Sequence, residues 1–158
     1  MWKRSFSFLA LFCLPLLATA DPITEILDLP AGKWRESPAI NNKMEKHTGK
    51  APLRITVHFT DVAKNFSRPL RLKLQSLFEY ATTKVEGSKR KIWGDIPYHF
   101  YIDANGLLAE ARSTAYQPDS NTTYSRDGHL TVVLEGDSDD GITPAQRRKL
   151  FRLLAILQ

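Results

Sequence analysis

The sequence predicts an α/β fold: a mixed central β-sheet with helices packed on its faces, built as a single domain. Three observations lead to this class. Residues 53–59 and 129–135 have the composition of strands, residues 92–112 have the pattern of a hairpin, and helical patterns cover residues 67–85 and 143–158. The resulting order of strand, helix, hairpin, strand and helix indicates a mixed sheet covered by helices.

The first strand follows an irregular lead-in. Residues 21–52 are polar and are interrupted by several prolines and glycines, which predicts loops with one helical turn near residues 42–46. In residues 53–59, apolar side chains alternate with polar ones, so one face of this strand is expected to be buried. The other face carries Arg54, Thr56 and His58.

Both helices have recognisable starts. For the first, Ser67 is the expected N-cap and Pro69 lies in the first turn, before apolar residues that recur at helical spacing. For the last helix, Thr143 caps the start, Pro144 occupies the first turn, and Gln146 completes a Thr-x-x-Gln capping box.

Turn-forming residues mark the hairpin, and a run of apolar residues marks the strand after it. The hairpin is expected to turn at residues 103–106, because the Asn-Gly pair there tolerates positive φ. Residues 113–128 read as a polar loop, and residues 129–135 are almost continuously apolar, which is typical of a buried central strand. The acidic residues at 103–106 and 137–140 lack the remaining ligands of a calcium loop, so turns and a helix N-terminus explain them.

Residues 1–20 have the pattern of a secretory signal peptide. Lys3 and Arg4 form a positive n-region, an apolar run follows, and Ala18-Thr19-Ala20 provides a small-x-small cleavage site. The run is too short to span a bilayer, and no later stretch is long enough. We therefore expect a soluble chain that is exported to the periplasm or the medium.

Composition excludes several classes of function for the processed chain. The only cysteine, Cys13, leaves with the signal peptide, so no thiol remains for a disulfide, a nucleophile or a metal. Without Lys3 and Arg4, the 22 basic residues fall to 20 against 17 acidic ones, and the net charge falls from +5 to +3. This charge suits an anionic surface such as cell wall and falls short of a nucleic-acid signature.

Several of these segments together resemble peptidoglycan recognition proteins and type-2 N-acetylmuramoyl-L-alanine amidases. The strand ITVHFTD is similar to the family's motif for its first zinc histidine, which maps to His58, although Phe59 replaces the second His of that motif. WGDIPYHFYIDANGLLAEAR resembles the segment with the active-site tyrosine, which maps to Tyr98. SNTTYSRDGHLTVVLEGD and TPAQRRKLFRLLAIL are similar to the later strand and the last packing helix, so the resemblance runs from Trp34 to the C-terminus.

The resemblance implies a zinc hydrolase that cleaves the amide between the lactyl group of muramic acid and L-alanine of the stem peptide. Zinc on three protein ligands keeps one open position and lowers the pKa of its water to about 7. A tyrosine hydroxyl beside the metal then donates to the oxyanion. In the family, the second and third zinc ligands lie beyond the last helix, so this sequence offers one ligand of three.

The end of the last helix supports an expectation about those ligands. The helix finishes on the apolar run LFRLLAILQ, with no glycine and no cationic closing turn. The expectation is an amidase-like domain over residues 53–158 that lacks its C-terminal metal-binding segment, through truncation or a frameshift.

Each histidine and tyrosine candidate has a structural alternative. His58 also fits a hydrogen-bonded sheet histidine, and Tyr98 also fits an aromatic strand residue. Alternation along the strand places Tyr98 and His99 on opposite faces. Because the resemblance assigns Tyr98 to the groove, His99 is expected to be a packing or surface residue. Histidines 47, 99 and 129 lack diagnostic ligand spacing, and His129 is the best further zinc candidate because its strand is expected beside the groove.

Glu110 and Arg112 are the substrate-binding candidates. They share a face of the second hairpin strand, where they form either a surface ion pair or a contact to a stem-peptide carboxylate. The sequence thus leaves three functions open: a zinc amidase of the cell wall, a non-catalytic domain that binds peptidoglycan or muropeptide, and an inactive remnant.

Overall fold

The computed structural model describes residues 21–49, 54–84, 86–87, 91–119 and 124–158. The predicted signal peptide lies outside these residues. Within them, no helix has the length and apolar content needed to cross a membrane. The elements in chain order are α1 (Pro22–Ile26), α2 (Ala31–Trp34), a 3₁₀ turn (Asn41–Lys43), β1 (Arg54–Phe59), α3 (Leu70–Thr82), β2 (Phe100–Ile102), β3 (Leu108–Glu110), β4 (His129–Leu134) and α4 (Pro144–Leu157).

The strands form one mixed sheet in the order β1-β4-β2-β3, which confirms the predicted fold class. β4 pairs in parallel with both β1 and β2, and β2 pairs antiparallel with β3. The register of β1 on β4 runs from Arg54 opposite His129 to Phe59 opposite Leu134. Every residue of β4 is buried, as its apolar composition predicted.

Helices cover both faces of the sheet. On one face, α1 and α4 pack against a core that contains Phe100, Val132 and Leu153. On the other face, α2 and α3 pack against a second core around Leu74 and Val133. Full burial of one such side chain contributes about 1.5–3 kcal/mol, so the two cores hold the sheet between the helices.

The lead-in is part of the folded domain, and its prediction as an irregular segment is wrong for α1 and α2. Asp21 caps α1 by accepting a hydrogen bond from the Ile23 N–H, and α2 ends in Trp34, which is 1% exposed. The Trp34 indole N–H donates to the Glu110 carbonyl at 2.7 Å. Single-turn helices of this kind depend on tertiary contacts, so they carry no periodic signal in the sequence.

The first long helix starts later than its sequence signals predicted. α3 begins at Leu70 with Pro69 at the N-cap position, and no side chain caps it there. Ser67 is not the cap, because the Asn65 side chain accepts from the Ser67 and Arg68 N–H groups and holds both in a turn before the helix. A short polar side chain that bonds to nearby backbone competes with helix formation in this way.

The hairpin turns where the sequence predicted, and Gly106 explains why. Gly106 has a φ of +80°, and a Cβ at this position would lie 2.7 Å from the Ala145 backbone. A side chain here would therefore be strained and would also collide with α4. The strands are shorter than expected, because β2 begins only at Phe100.

The predicted capping box of α4 is present. Thr143 Oγ1 accepts from the Gln146 N–H, and Gln146 Oε1 accepts from the Thr143 N–H, both at 3.0 Å. The same two side chains fasten the helix to the sheet, since Thr143 donates to the Ala104 carbonyl and Gln146 donates to the Glu135 carbonyl. The start of α4 is thus tied to the carboxyl ends of β2 and β4.

Candidate functional site

His58 and Tyr98 lie side by side, and we call the surface that they share the cleft, after the groove that the resemblance implies. His58 comes from β1, where exposure does not alternate as the sequence predicted, since Val57 is 41% exposed. The ring centroid of His58 is 5.6 Å from that of Tyr98. Tyr98 precedes β2, so strand alternation does not set its direction. Backbone bonds hold it instead: its carbonyl accepts from the Arg112 N–H, and the next residue, His99, donates to the Thr131 carbonyl.

Tyr124 extends this pair into a row of four rings. Its hydroxyl lies 3.3 Å from His58 Nε2, and its ring stacks on His129 with centroids 5.0 Å apart. His129 Nδ1 lies 2.8 Å from Thr56 Oγ1, which fixes that imidazole against β1. We call Tyr98, His58, Tyr124 and His129 the aromatic row.

Burial sets the protonation states within the row. Desolvation lowers the pKa of His58, so its imidazole is neutral at pH 7. Desolvation also raises the pKa of Tyr98, and the neighbouring Tyr124 and the Asp61 carboxylate raise it further, so its hydroxyl keeps its proton at neutral pH. A neutral imidazole beside a protonated phenol presents hydrogen-bond donors and acceptors without a net charge.

The described residues do not fit a zinc ion. His129 is opposite Arg54 in the register, four residues before His58, which is roughly 13 Å along the strand. Its Nδ1 is engaged by Thr56, and the Tyr124 ring covers it. Within the part of the chain that the structure describes, no three His, Cys, Asp or Glu side chains are grouped closely enough to hold a metal. One imidazole alone supplies neither the affinity nor the geometry of a zinc site.

The remaining two histidines border the row without belonging to it. His99 is fully buried, with Nδ1 near Thr131 Oγ1 and Nε2 bonded to the Tyr116 carbonyl at 2.8 Å. Desolvation, the largest effect, lowers the pKa of His99 to about 4. His47 packs against His99 and pairs with Asp127 at 3.1 Å. Both histidines therefore serve as packing groups, as proposed for His99 from the sequence.

The prediction of a surface ion pair between Glu110 and Arg112 is wrong. Arg112 is 1% exposed, and its guanidinium donates to Asp119 at 2.8 Å and to three backbone carbonyls. Glu110 accepts from the Ala31 N–H instead. Arg112 lies two residues beyond Glu110, the last paired residue of the hairpin, so the alternation of the strand does not set its exposure. Neither side chain is placed to meet a ligand carboxylate in the cleft.

A pocket of about 650 Å³ lies beside the row, at the carboxyl ends of β1, β4 and β2. Its walls come from the segment after β1 and from α3, and its lining includes Asp61, Arg68 and Tyr101. Lys73 of α3 and Glu135 after β4 form part of its floor. We call this the carboxyl-end pocket.

Comparison with known proteins identifies the architecture. No protein-family model and no curated protein matches the sequence. Among solved structures, the Drosophila peptidoglycan recognition protein SD superposes with a TM-score of 0.63 at 20% identity, covering 80% of this chain and 70% of that chain. The chain has the peptidoglycan recognition protein fold. The fold expected from the sequence is thereby confirmed.

Two further structures with the peptidoglycan recognition protein fold agree. Drosophila PGRP-LB is 22% identical, with a TM-score of 0.62 and coverage of 80% of this chain and 71% of that chain. The ectodomain complex of PGRP-LCa and PGRP-LCx, solved with tracheal cytotoxin bound, is 19% identical, with a TM-score of 0.60 and coverage of 80% and 72%. At these identities the likeness establishes the fold.

Sequence reasoning missed two residues of the cleft in this peptidoglycan recognition fold. Tyr124 stands among Ser, Thr and Asn residues in a polar loop, where its aromatic ring was the only signal. Asp61 lies two residues after the first strand, at the edge where ligands of parallel sheets usually bind, and that position was the available signal. Both residues reach the site from loops, whose course the local sequence does not specify.

Proposed function

We propose that this chain binds a peptidoglycan fragment, a muropeptide, in the cleft of the aromatic row without hydrolysing it. The fold supports the ligand class, because the solved structures that share it are peptidoglycan recognition proteins. The row supports the mode of binding, since ligand sites combine aromatic walls with a few polar groups that converge on one point.

One observation carries the proposal: His58, Tyr98 and Tyr124 converge although they are separated by 26 residues or more along the chain. Tyr124 is 37% exposed, so the part of its ring that does not stack on His129 is available to a sugar or to the lactyl group. The hydroxyl of Tyr98 and the imidazole of His58 are positioned to exchange hydrogen bonds with an amide of the ligand. A tyrosine serves such a site well, because it combines an apolar ring with a polar tip.

The donor set of the described residues supports binding without cleavage. Amide hydrolysis by the family's route requires a metal on three protein ligands, and among the described residues no three His, Cys, Asp or Glu side chains are grouped to hold one. Recognition needs no such ligand set. Shape, stacking and hydrogen bonds are sufficient for it.

The test is a pull-down of the purified chain on insoluble peptidoglycan. We expect the wild-type chain to bind and to release no stem peptide. Tyr124→Ala removes a central aromatic contact and should weaken binding about tenfold or more. The matched control is Phe151→Ala, because Phe151 is 61% exposed on α4 outside the cleft and its removal should leave binding unchanged. No retention of the wild-type chain, or equal retention of the Tyr124 variant, would reject the proposal.

A zinc amidase is the second candidate, and one observation favours it. The imidazole of His58 is neutral at pH 7 and lies beside Tyr98, the two residues that the resemblance assigns to metal binding and catalysis. Elemental analysis of the purified chain and an assay for stem-peptide release test this candidate directly. One zinc per chain together with zinc-dependent release would replace the binding function by the amidase.

Export remains part of the proposal, because a peptidoglycan ligand lies outside the cytoplasm. The motif Ala18-Thr19-Ala20 before Asp21 predicts where the chain would be cut. N-terminal sequencing of the secreted protein should therefore begin at Asp21. An intact Met1 on the mature protein would contradict export by this route.

A further inference from the structure

The floor of the carboxyl-end pocket holds one amine between two carboxylates. Lys73 Nζ lies 2.7 Å from Glu135 Oε2 and 3.2 Å from Asp103 Oδ2. The side chains of Lys73, Glu135 and Asp103 are 5%, 4% and 1% exposed, respectively. Lys73 belongs to α3, Asp103 follows β2, and Glu135 follows β4, so the fold brings three separate elements together here. We call these three residues the buried triad.

Water has little access to the buried triad. Tyr101, two residues before Asp103, is 4% exposed. Desolvation is the largest effect that raises the pKa of this phenol, and the charges of Glu135 and Asp103 raise it further. The phenol therefore shares the dry surroundings of both carboxylates. Because charges held away from water are costly, a reaction that removes one positive and one negative charge is favoured at such a site.

The two carboxyl oxygens of Asp103 have different partners. Oδ1 accepts from the N–H groups of Asn105 and Leu107, at 3.0 and 2.9 Å. Oδ2 faces the amine of Lys73. Two backbone N–H groups that converge on one oxygen are the arrangement that stabilises the oxyanion of acyl transfer. The carboxyl group of Asp103 is thus held as an acyl group, with one oxygen polarised and the other turned to a nucleophile.

Glu135 is the third member of the triad, and its carboxylate is fixed beside the amine. Oε2 accepts from Lys73 Nζ and from the Ala104 N–H, both at 2.7 Å, and Oε1 accepts from the Asn65 N–H at 3.0 Å. A carboxylate within hydrogen-bond distance of a nucleophile is positioned to take its proton.

We propose that Lys73 and Asp103 become joined by an amide bond between Nζ and Cγ, and that Glu135 carries the protons. Nζ is in hydrogen-bond contact with the carboxyl group of Asp103, and a nucleophile held in contact with its target needs little further ordering to react. The folded chain thus contains the nucleophile, the acyl group, the proton carrier and the donors for the oxyanion. This inference does not depend on the proposed function, because no ligand takes part.

The reaction is a condensation that releases one water molecule. Glu135 first moves a proton from the Lys73 ammonium to Asp103 Oδ2, which leaves a neutral amine beside a neutral carboxylic acid. The amine attacks Cγ, and the two backbone N–H groups hold the negative charge that develops on Oδ1. Glu135 then moves a second proton from Nζ to the leaving hydroxyl, the Cγ–Oδ2 bond breaks, and water departs. The third proton stays on the amide nitrogen, and Glu135 ends ionised, as it began.

The bond is a covalent brace for the fold. It ties α3 to the turn between β2 and β3, across a separation of 30 residues. Residues 21–158 contain no cysteine, so a disulfide cannot provide such a link. A covalent link of this kind restricts the unfolded chain and thereby stabilises the folded one.

The test is the intact mass of the purified full chain, measured after denaturation. We expect a mass lower by one water molecule than the amino-acid sequence requires. Trypsin digestion should then yield a branched peptide in which residues 72–84 are joined to residues 92–112, because a lysine in an amide bond is not cleaved. This measurement needs no variant, so a substitution that prevents folding does not affect it.

Two variants remove groups that take part in the reaction, and circular dichroism shows whether each of them folds. Lys73→Arg keeps a positive charge, but a guanidinium stays protonated and is no nucleophile, so this variant should show the full mass of its sequence. Glu135→Gln keeps the size of the side chain and cannot carry protons, so the amide should form at least about a hundredfold more slowly.

Lys149→Arg is the matched control, because Lys149 and Asp28 form a pair that water reaches, with Nζ and Oδ2 2.8 Å apart and side chains 16% and 36% exposed. This variant should keep the mass deficit of the wild-type chain. A wild-type mass equal to that of the sequence would overturn the amide bond, and so would a full deficit in the Lys73→Arg variant. Formation at the wild-type rate in a folded Glu135→Gln variant would overturn the role of Glu135. Each of these results leaves the proposed function standing.

Discussion

The aromatic row and the surroundings of Arg112 contain similar polar groups, but they differ in how many of those groups are already hydrogen-bonded. Arg112 is buried, and its guanidinium is committed to Asp119 and to the carbonyls of residues 95, 96 and 117. In the row, Tyr124 is 37% exposed and Tyr98 is half-buried, and within the described residues the Tyr98 hydroxyl has no hydrogen-bond partner. The difference teaches that unused hydrogen-bonding capacity marks a binding surface, whereas saturated capacity marks a structural joint.

The largest effect on stability is expected from Arg112→Ala. The variant leaves the Asp119 carboxylate and three carbonyls without their buried donor, so we expect a loss of about 3–5 kcal/mol in the free energy of unfolding. Urea denaturation followed by circular dichroism measures it. A loss below about 1 kcal/mol would mean that solvent replaces the guanidinium easily and that the hydrogen bonds of Arg112 contribute little to stability.

The second prediction concerns His99, another saturated group. Its pKa is about 4 in the folded chain, below the unfolded value of 6.5, because of desolvation. A lowered pKa means that the unfolded chain binds the proton more readily, so stability is complete above pH 6.5 and falls as the pH drops toward 4. The fall from this residue alone amounts to about 3 kcal/mol.

Denaturation at a series of pH values tests this dependence on His99. The control is His99→Gln, which keeps a polar side chain of similar reach but does not titrate. Its stability should change less between pH 6.5 and 4 than that of the wild-type chain. If the stability of both proteins falls equally between pH 6.5 and 4, the acid sensitivity comes from groups other than His99.

The smallest effect on stability is expected within the row. Tyr98→Phe removes only a hydroxyl that the cleft leaves available, so the free energy of unfolding should change by less than about 1 kcal/mol. Peptidoglycan binding should nevertheless weaken several-fold, about the value of one hydrogen bond. A large loss of stability with unchanged binding would instead mean that Tyr98 has a structural role and no role in binding.

The sequence predicted those elements whose causes are local. The capping box of Thr143 and Gln146 and the Asn-Gly turn at Gly106 depend on residues within four positions, and both are present. The buried strand β4 was recognisable because its apolar run is longer than any solvent-facing strand would carry.

The errors concern residues whose partners are distant in the chain. Arg112 was assigned to the surface, but its acceptors come from residues 95–96 and 117–119, which local alternation cannot reveal. Lys73 was not singled out at all, although it joins Asp103 and Glu135 in the floor of the carboxyl-end pocket. Tyr124 was missed for the same reason, since only the folded loop brings it to His58.

The docking of the lead-in on β3 decides where the folding unit begins. Asp28 and Leu29 donate backbone hydrogen bonds to the Leu108 carbonyl, and the Glu110 N–H returns one to Leu29. A fragment that begins at residue 53 would lose these hydrogen bonds at the edge of the sheet and would have a cavity where Trp34 packs. Recombinant versions intended for crystallography should therefore start no later than Asp21.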